Sequence, residues 1–132
     1  ALILGITPDT TAVTQGGTLG YTVSVLNTTA ITQCFDYWEN MTLPGGKGYP
    51  ANGELFGPLN VCVNANATKT AHLTQALPVS APLGTYVLNA FVGSRYPNVL
   101  EAAGFNFDVS ALSPLLKSPN KSWGLLENGL VQ

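Results

Sequence analysis

The sequence predicts an all-β, seven-stranded antiparallel sandwich with a C-terminal apolar tail. Short runs rich in Thr, Val, Tyr and Phe alternate apolar and polar residues at period two, and Gly, Pro and Asn clusters punctuate them. No window of twelve or more residues before residue 110 carries a helical stripe. A chain of 132 residues suits one domain with one hydrophobic core.

Leu2 to Thr7 reads as an edge strand that stops at Pro8, since proline cannot donate to a ladder. Thr10 to Val13 reads as its continuation on the opposite sheet. Thr18 to Asn27 is the clearest strand: Leu19, Tyr21, Val23 and Val25 fall on one face, with Thr18, Gly20, Thr22 and Ser24 on the other. Thr32 to Leu43 carries bulk on both faces, Phe35, Tyr37 and Met41 against Cys34, Asp36, Trp38 and Thr42. Its phase is therefore open, although Trp38 is expected in the core. Pro44 to Gly48 is a turn, and the residues to Pro58 read as an irregular loop or short edge strand.

Leu59 to Asn64 follows as a strand carrying Cys62. Thr68 to Leu77 alternates through Ala71, Leu73, Gln75 and Leu77, and Gly84 to Val92 through Tyr86, Leu88, Ala90 and Val92. Gly104 to Ser110 ends the sandwich with Phe105, Phe107 and Val109 inward. The expected core is Tyr21, Val23, Val25, Leu73, Tyr86, Leu88, Phe105 and Phe107. Residues 1–110 thus form the sandwich domain. Residues 111–132 form a tail with prolines at 114 and 119, and it is expected to dock between subunits or domains.

Composition narrows the function. Charged residues are only 9% of the chain and the net charge is -2, which gives no field to attract a phosphate backbone, so no nucleic acid is expected. No apolar run is long enough for a membrane-spanning helix. The neutral surface, the even cysteine count and an N-terminus at Ala1 without Met lead to the expectation of an extracellular or cell-surface protein that has lost a signal peptide. Cys34 and Cys62 are expected to form a disulfide between neighbouring strands.

Two cysteines and the single His72 are too few for a four-ligand zinc site, and no cofactor is expected. His72 should point to solvent. Asp36 and Glu39, three apart on a strand, should lie on opposite faces, which argues against a paired-carboxylate glycosidase site. No nucleophile elbow, phosphate loop or calcium loop occurs, and no catalytic residue is expected.

Four Asn-x-Ser/Thr acceptors occur, at Asn27, Asn40, Asn66 and Asn120, with Asn27 and Asn66 expected to be the better placed beside loops. Trp38, Tyr37, Trp123 and Tyr96 offer the parts of a sugar-stacking platform, against the simpler reading that Trp38 is core and Trp123 docks the tail.

The segment Leu77-Pro78-Val79-Ser80-Ala81-Pro82-Leu83-Gly84-Thr85-Tyr86 resembles secreted bacterial Ig-like and fibronectin-type-III-like modules of surface or filament type. So do Gly16 to Val23, Phe35 to Trp38 and Tyr96 to Val99. The resemblance implies an Ig-like sandwich over residues 1–110 and leaves activity open, because such modules serve as spacers, adhesion domains, filament subunits and accessory domains. Independently of it, Pro82 and Gly84 turn the chain, and Tyr86 is placed to send its hydroxyl back to that loop as a tyrosine corner.

Together these readings give a non-catalytic extracellular structural subunit or surface module. Its expected partners are copies of itself, joined head-to-tail into a homo-oligomer or fibril, and covalent glycans. Leu2, Ile3, Leu4, Leu115, Leu116, Trp123, Leu125 and Leu126 are the expected interface residues. The alternatives are a carbohydrate-binding or accessory domain of a secreted enzyme and a spacer module of an adhesin.

Overall fold

The computed structural model describes residues 1–112. They form nine strands: β1 Leu2–Pro8, β2 Ala12–Thr14, β3 Thr18–Asn27, β4 Gln33–Thr42, β5 Gly48–Tyr49, β6 Phe56–Val63, β7 Thr68–Ala76, β8 Gly84–Gly93 and β9 Glu101–Ser110. One sheet runs β1-β3-β7. The other runs β2-β9-β8-β4-β5, with β6 pairing the same flank of β4 ahead of β5. The chain crosses between sheets after β1, β2, β3, β6 and β7, as in an Ig-like sandwich. Seven strands are seven residues or longer; β2 and β5 have three and two. The short β2 lies parallel to β9 on the sheet opposite β1, where the sequence put the continuation of the first strand.

The core follows the period-two pattern. Leu19, Tyr21, Val23 and Val25 of β3 face Phe35, Tyr37 and Met41 of β4, Tyr86, Leu88, Ala90 and Val92 of β8, and Phe107 and Val109 of β9, all buried. Leu73 and Phe105, expected in the core, are only partly buried against it. Leu73 sits where one side of the sandwich is open. Tyr86 donates its hydroxyl to the Pro82 carbonyl, four residues upstream, at 2.6 Å, which is the expected tyrosine corner.

Two strands start three residues earlier than in the sequence reading. β6 begins at Phe56 rather than Leu59 and includes Pro58, which an edge strand accommodates, with a register shift opposite Tyr37 and Glu39. β9 begins at Glu101 rather than Gly104 because Glu101 to Ala103 pair with Val92 to Ala90.

Trp38 is buried, but not in the core between the sheets. It lies on the outer face of its sheet, 5.7 Å centroid to centroid from Phe91 and 5.0 Å from Tyr96. The loop after β8 makes this cover. A Cβ at Gly93 would collide with the Asn98 carbonyl, so glycine lets the loop close over the sheet and bring Tyr96 onto the indole. The Tyr96 amide donates to Asp36 at 2.9 Å and its hydroxyl to Glu54 at 2.7 Å, fixing that loop to β4 and to the β5–β6 loop.

Candidate functional site

The two sheets end at β7 on one side and at β5 and β6 on the other. Two adjoining apolar hollows lie between them, of about 270 and 230 Å³. One is lined by Met41, Leu55, Leu77, Ala81 and Tyr86 among others. The other is lined by Val25, Phe35, Phe56, Val61 and Leu73 among others. Both run beside β7, whose nine residues extend for about 30 Å. Tyr49 and Leu59, two large apolar side chains left half exposed, border this cleft.

The edge of β7 faces the same opening. β7 pairs only with β3, and the bonds Leu77 N–H to Gly17 and Asn27 N–H to Ala67 fix which residues bond inward: the odd-numbered ones. The backbone amides and carbonyls of Thr70, His72 and Thr74 therefore point away from β3, along the sheet edge. Such an edge ordinarily carries charges that discourage pairing. In β7 the only Lys, Arg, Asp or Glu is Lys69, and its ammonium donates to the Cys62 carbonyl at 2.7 Å, bridging to β6 at one end of the cleft.

Beneath this opening lies a polar cluster inside the core. Glu39 is fully buried on the inward face of β4, and its two carboxylate oxygens accept the hydroxyls of Tyr21 and Tyr37. Burial pushes the Glu39 carboxyl above the usual range, with the two hydroxyl bonds pulling the other way. The same burial and the adjacent carboxylate hold both tyrosines well above their ordinary values. Asp36 lies on the opposite face, as the sequence required. There the Tyr96 amide and the Asn60 side chain keep its carboxyl low. The two carboxylates share no site.

His72 is half exposed on the outer face of its sheet, 2.7 Å from Asp9. Gly20 makes room for that pair, since a Cβ there would collide with the Asp9 carboxylate. Among the described residues no group of three or more His, Cys, Asp and Glu is placed to hold a metal ion.

Cys34 and Cys62 are directly opposite on β4 and β6, with sulfurs 2.08 Å apart, a disulfide pair tying neighbouring strands as expected. Such a pair is compatible with an extracellular location. No described helix is long and apolar enough to cross a membrane.

The acceptor asparagines part company. Asn27 is fully buried: its amide nitrogen donates to the carbonyls of Ile31, Val63 and Asn64 at 2.8, 3.0 and 3.2 Å, while its oxygen accepts from the Thr29 amide and hydroxyl. It pins the β3–β4 and β6–β7 turns together. A sugar on that nitrogen would displace these bonds, which corrects the ranking of Asn27 as a well-placed acceptor. Asn66 is exposed in the β6–β7 turn with φ of 56°, a conformation asparagine tolerates. Asn40 is partly buried and accepts from Asn89 at 3.0 Å. Asn120 lies outside the described residues.

Of the expected interface residues that are described, Leu2 and Leu4 pack against the chain's own core, because β1 turns them inward, and Ile3 is exposed. Leu115, Leu116, Trp123, Leu125 and Leu126 lie outside the described residues. Of the aromatic set, Tyr37 faces the core, Trp38 and Tyr96 pack together on the outer face, and Trp123 is outside the described residues.

Fold and cleft define a disulfide-bearing Ig-like β-sandwich with one open side. No family model and no curated protein matches the sequence. Solved structures share the fold. The CARDB domain of a Pyrococcus furiosus protein, determined with two metal ions, is similar at a TM-score of 0.57 and 18% identity, over 85% of this chain and 94% of that one. The Pseudomonas fluorescens alkylpurine DNA glycosylase AlkC, bound to abasic-site DNA, matches at 0.64 and 13% identity over 83% of this chain. An Erythrobacter marinus β-glucosidase matches at 0.63 and 13% identity, also over 83%. This chain spans only 30% and 15% of the length of those two enzymes.

Proposed function

We propose that this protein is a non-catalytic structural subunit or surface module that works outside the cell by associating head-to-tail with copies of itself, up to a filament. The observation that carries this reading is the open apolar side of the sandwich beside a strand edge whose only charged side chain, Lys69, sits at one end. Exposed apolar surface of that kind is normally a contact surface. The buried state of Glu39 and the separation of Asp36 from it agree with a role that is not catalytic. The disulfide pair and the sparsely charged surface agree with an extracellular setting, and a glycan on exposed Asn66 would leave the core untouched.

Light scattering and negative-stain electron microscopy of the intact chain test the proposal. Concentration-dependent growth into linear species is the expected result. A strictly monomeric chain at the highest soluble concentration would refute it.

A second reading, an accessory module of a secreted carbohydrate-active enzyme, is favoured by the likeness to 15% of a β-glucosidase. Retention on insoluble polysaccharide by a monomeric chain would move that reading ahead.

A further inference from the structure

We infer that the cleft between β7 and the β5–β6 flank is the acceptor for a neighbouring copy, which lays part of its residues 113–132 along β7 as an added strand. This rests on the head-to-tail reading and names the receiving surface that reading lacks.

Three observations converge on it. The first is the match between what the cleft lacks and what a strand brings. The backbone groups of Thr70, His72 and Thr74 need partners at the edge, and the hollows lined by Leu73, Phe56, Leu55 and Met41 need apolar side chains on alternate positions. One extended segment supplies both. The second is the composition of the segment beyond the described residues. Its 20 residues include Leu115, Leu116, Trp123, Leu125 and Leu126, and extended they reach about 65 Å, twice the length of the cleft.

The third is where the chain leaves the sandwich. The Leu112 amide donates to Gln15, and Gln15 donates to the Ala81 carbonyl at 2.8 Å; Ala81 lines the cleft. The exit is therefore at the mouth end of the cleft, but from β9, three strands across the sheet from β6, or about 15 Å. The segment's length also lets it reach the next copy. Because donor segment and acceptor cleft are different surfaces, the contact does not close on itself and repeats along a line.

Two full-length variants test this. Ala71→Arg places a long charged side chain at the mouth of the cleft, on an exposed β7 position that the core does not use. Trp123→Ser combined with Leu125→Ser and Leu126→Ser removes the donor's apolar groups and leaves the sandwich intact. Circular dichroism confirms that both are folded. Each variant alone should be monomeric by light scattering at concentrations where the intact chain assembles, and mixing them should give a 1:1 complex and nothing larger. If Ala71→Arg assembles like the intact chain while the triple variant does not, the donor docks elsewhere and the cleft inference falls, with head-to-tail assembly left standing. An intact chain that stays monomeric, with both variants melting lower, would show the segment filling its own cleft and overturn both.

Discussion

Glu39→Gln should make the protein more stable at neutral pH while removing a pH dependence that the native chain carries. The Glu39 carboxyl is shut away from water, and its proton affinity is raised mainly by burial. An acid whose folded pKa lies above its unfolded value, here 4.5, binds its proton more tightly in the folded state. Its contribution is thus fully present below pH 4.5 and declines as pH rises through the window between that value and the raised folded one. Above the window the ionised carboxylate persists as a fixed cost, offset by two charge-assisted hydroxyl bonds worth about 1.5–3 kcal/mol each. Glutamine keeps one oxygen to accept from one tyrosine, and its amide nitrogen can donate to the other hydroxyl.

Urea denaturation from pH 4 to pH 8 provides the assay. Asp36, whose carboxyl is held low, acts in the opposite sense, losing stability as pH falls, and it is common to both proteins. The difference curve therefore isolates Glu39. It should show the variant gaining on the native chain as pH rises above 4.5. A flat difference curve, or a variant that loses ground with rising pH, would refute the argument that burial dominates the site. Removing the acceptor altogether is a separate case: Glu39→Leu strands two buried hydroxyls at about 1–3 kcal/mol each, and Tyr21→Phe with Tyr37→Phe in the same chain should recover most of that loss.

Val23→Asp should unfold the domain, since an unpaired buried charge exceeds a typical net stability of about 5–15 kcal/mol or consumes most of it, whereas Thr22→Asp on the outer face should change the urea midpoint little. Reducing the Cys34–Cys62 bond, which closes a sequence separation of 28, should lower stability by about 3–4 kcal/mol without unfolding the sandwich at room temperature, as measured by denaturation with and without reductant. Asn27→Ala removes the partner of three carbonyls, one amide and one hydroxyl and should cost at least about 3 kcal/mol by the same method. Glycopeptide mass spectrometry of native material should correspondingly find Asn27 bare and any glycan at Asn66.

What could be read from the sequence was what repeats at short range. The phase of β3 follows from Leu19, Tyr21, Val23 and Val25 alone, because a two-residue period decides which face is buried. The Tyr86 corner was equally readable, since donor and acceptor are four residues apart. Glu39 was not, because a charge at an inward position only becomes tolerable when Tyr21, 18 residues away on the other sheet, meets it with a hydroxyl. Trp38 misled for a similar reason: its cover comes from Tyr96, on a loop 58 positions downstream, and no local pattern distinguishes an indole buried between sheets from one buried beneath a loop. Asn27 carries a perfect acceptor tripeptide, yet its fate is set by the carbonyls of Val63 and Asn64. The cleft is further still from local pattern, because its lining comes from both sheets and from loops far apart in sequence.

Hydrogen exchange at the β7 edge tests the central claim most directly. The amides of Thr70, His72 and Thr74 point away from β3, so in dilute solution they should exchange quickly. In the intact chain their protection should rise with protein concentration, and in the Trp123→Ser/Leu125→Ser/Leu126→Ser variant it should stay low throughout. Fast exchange of these three amides in fully assembled material, or protection that does not depend on concentration, would contradict the account.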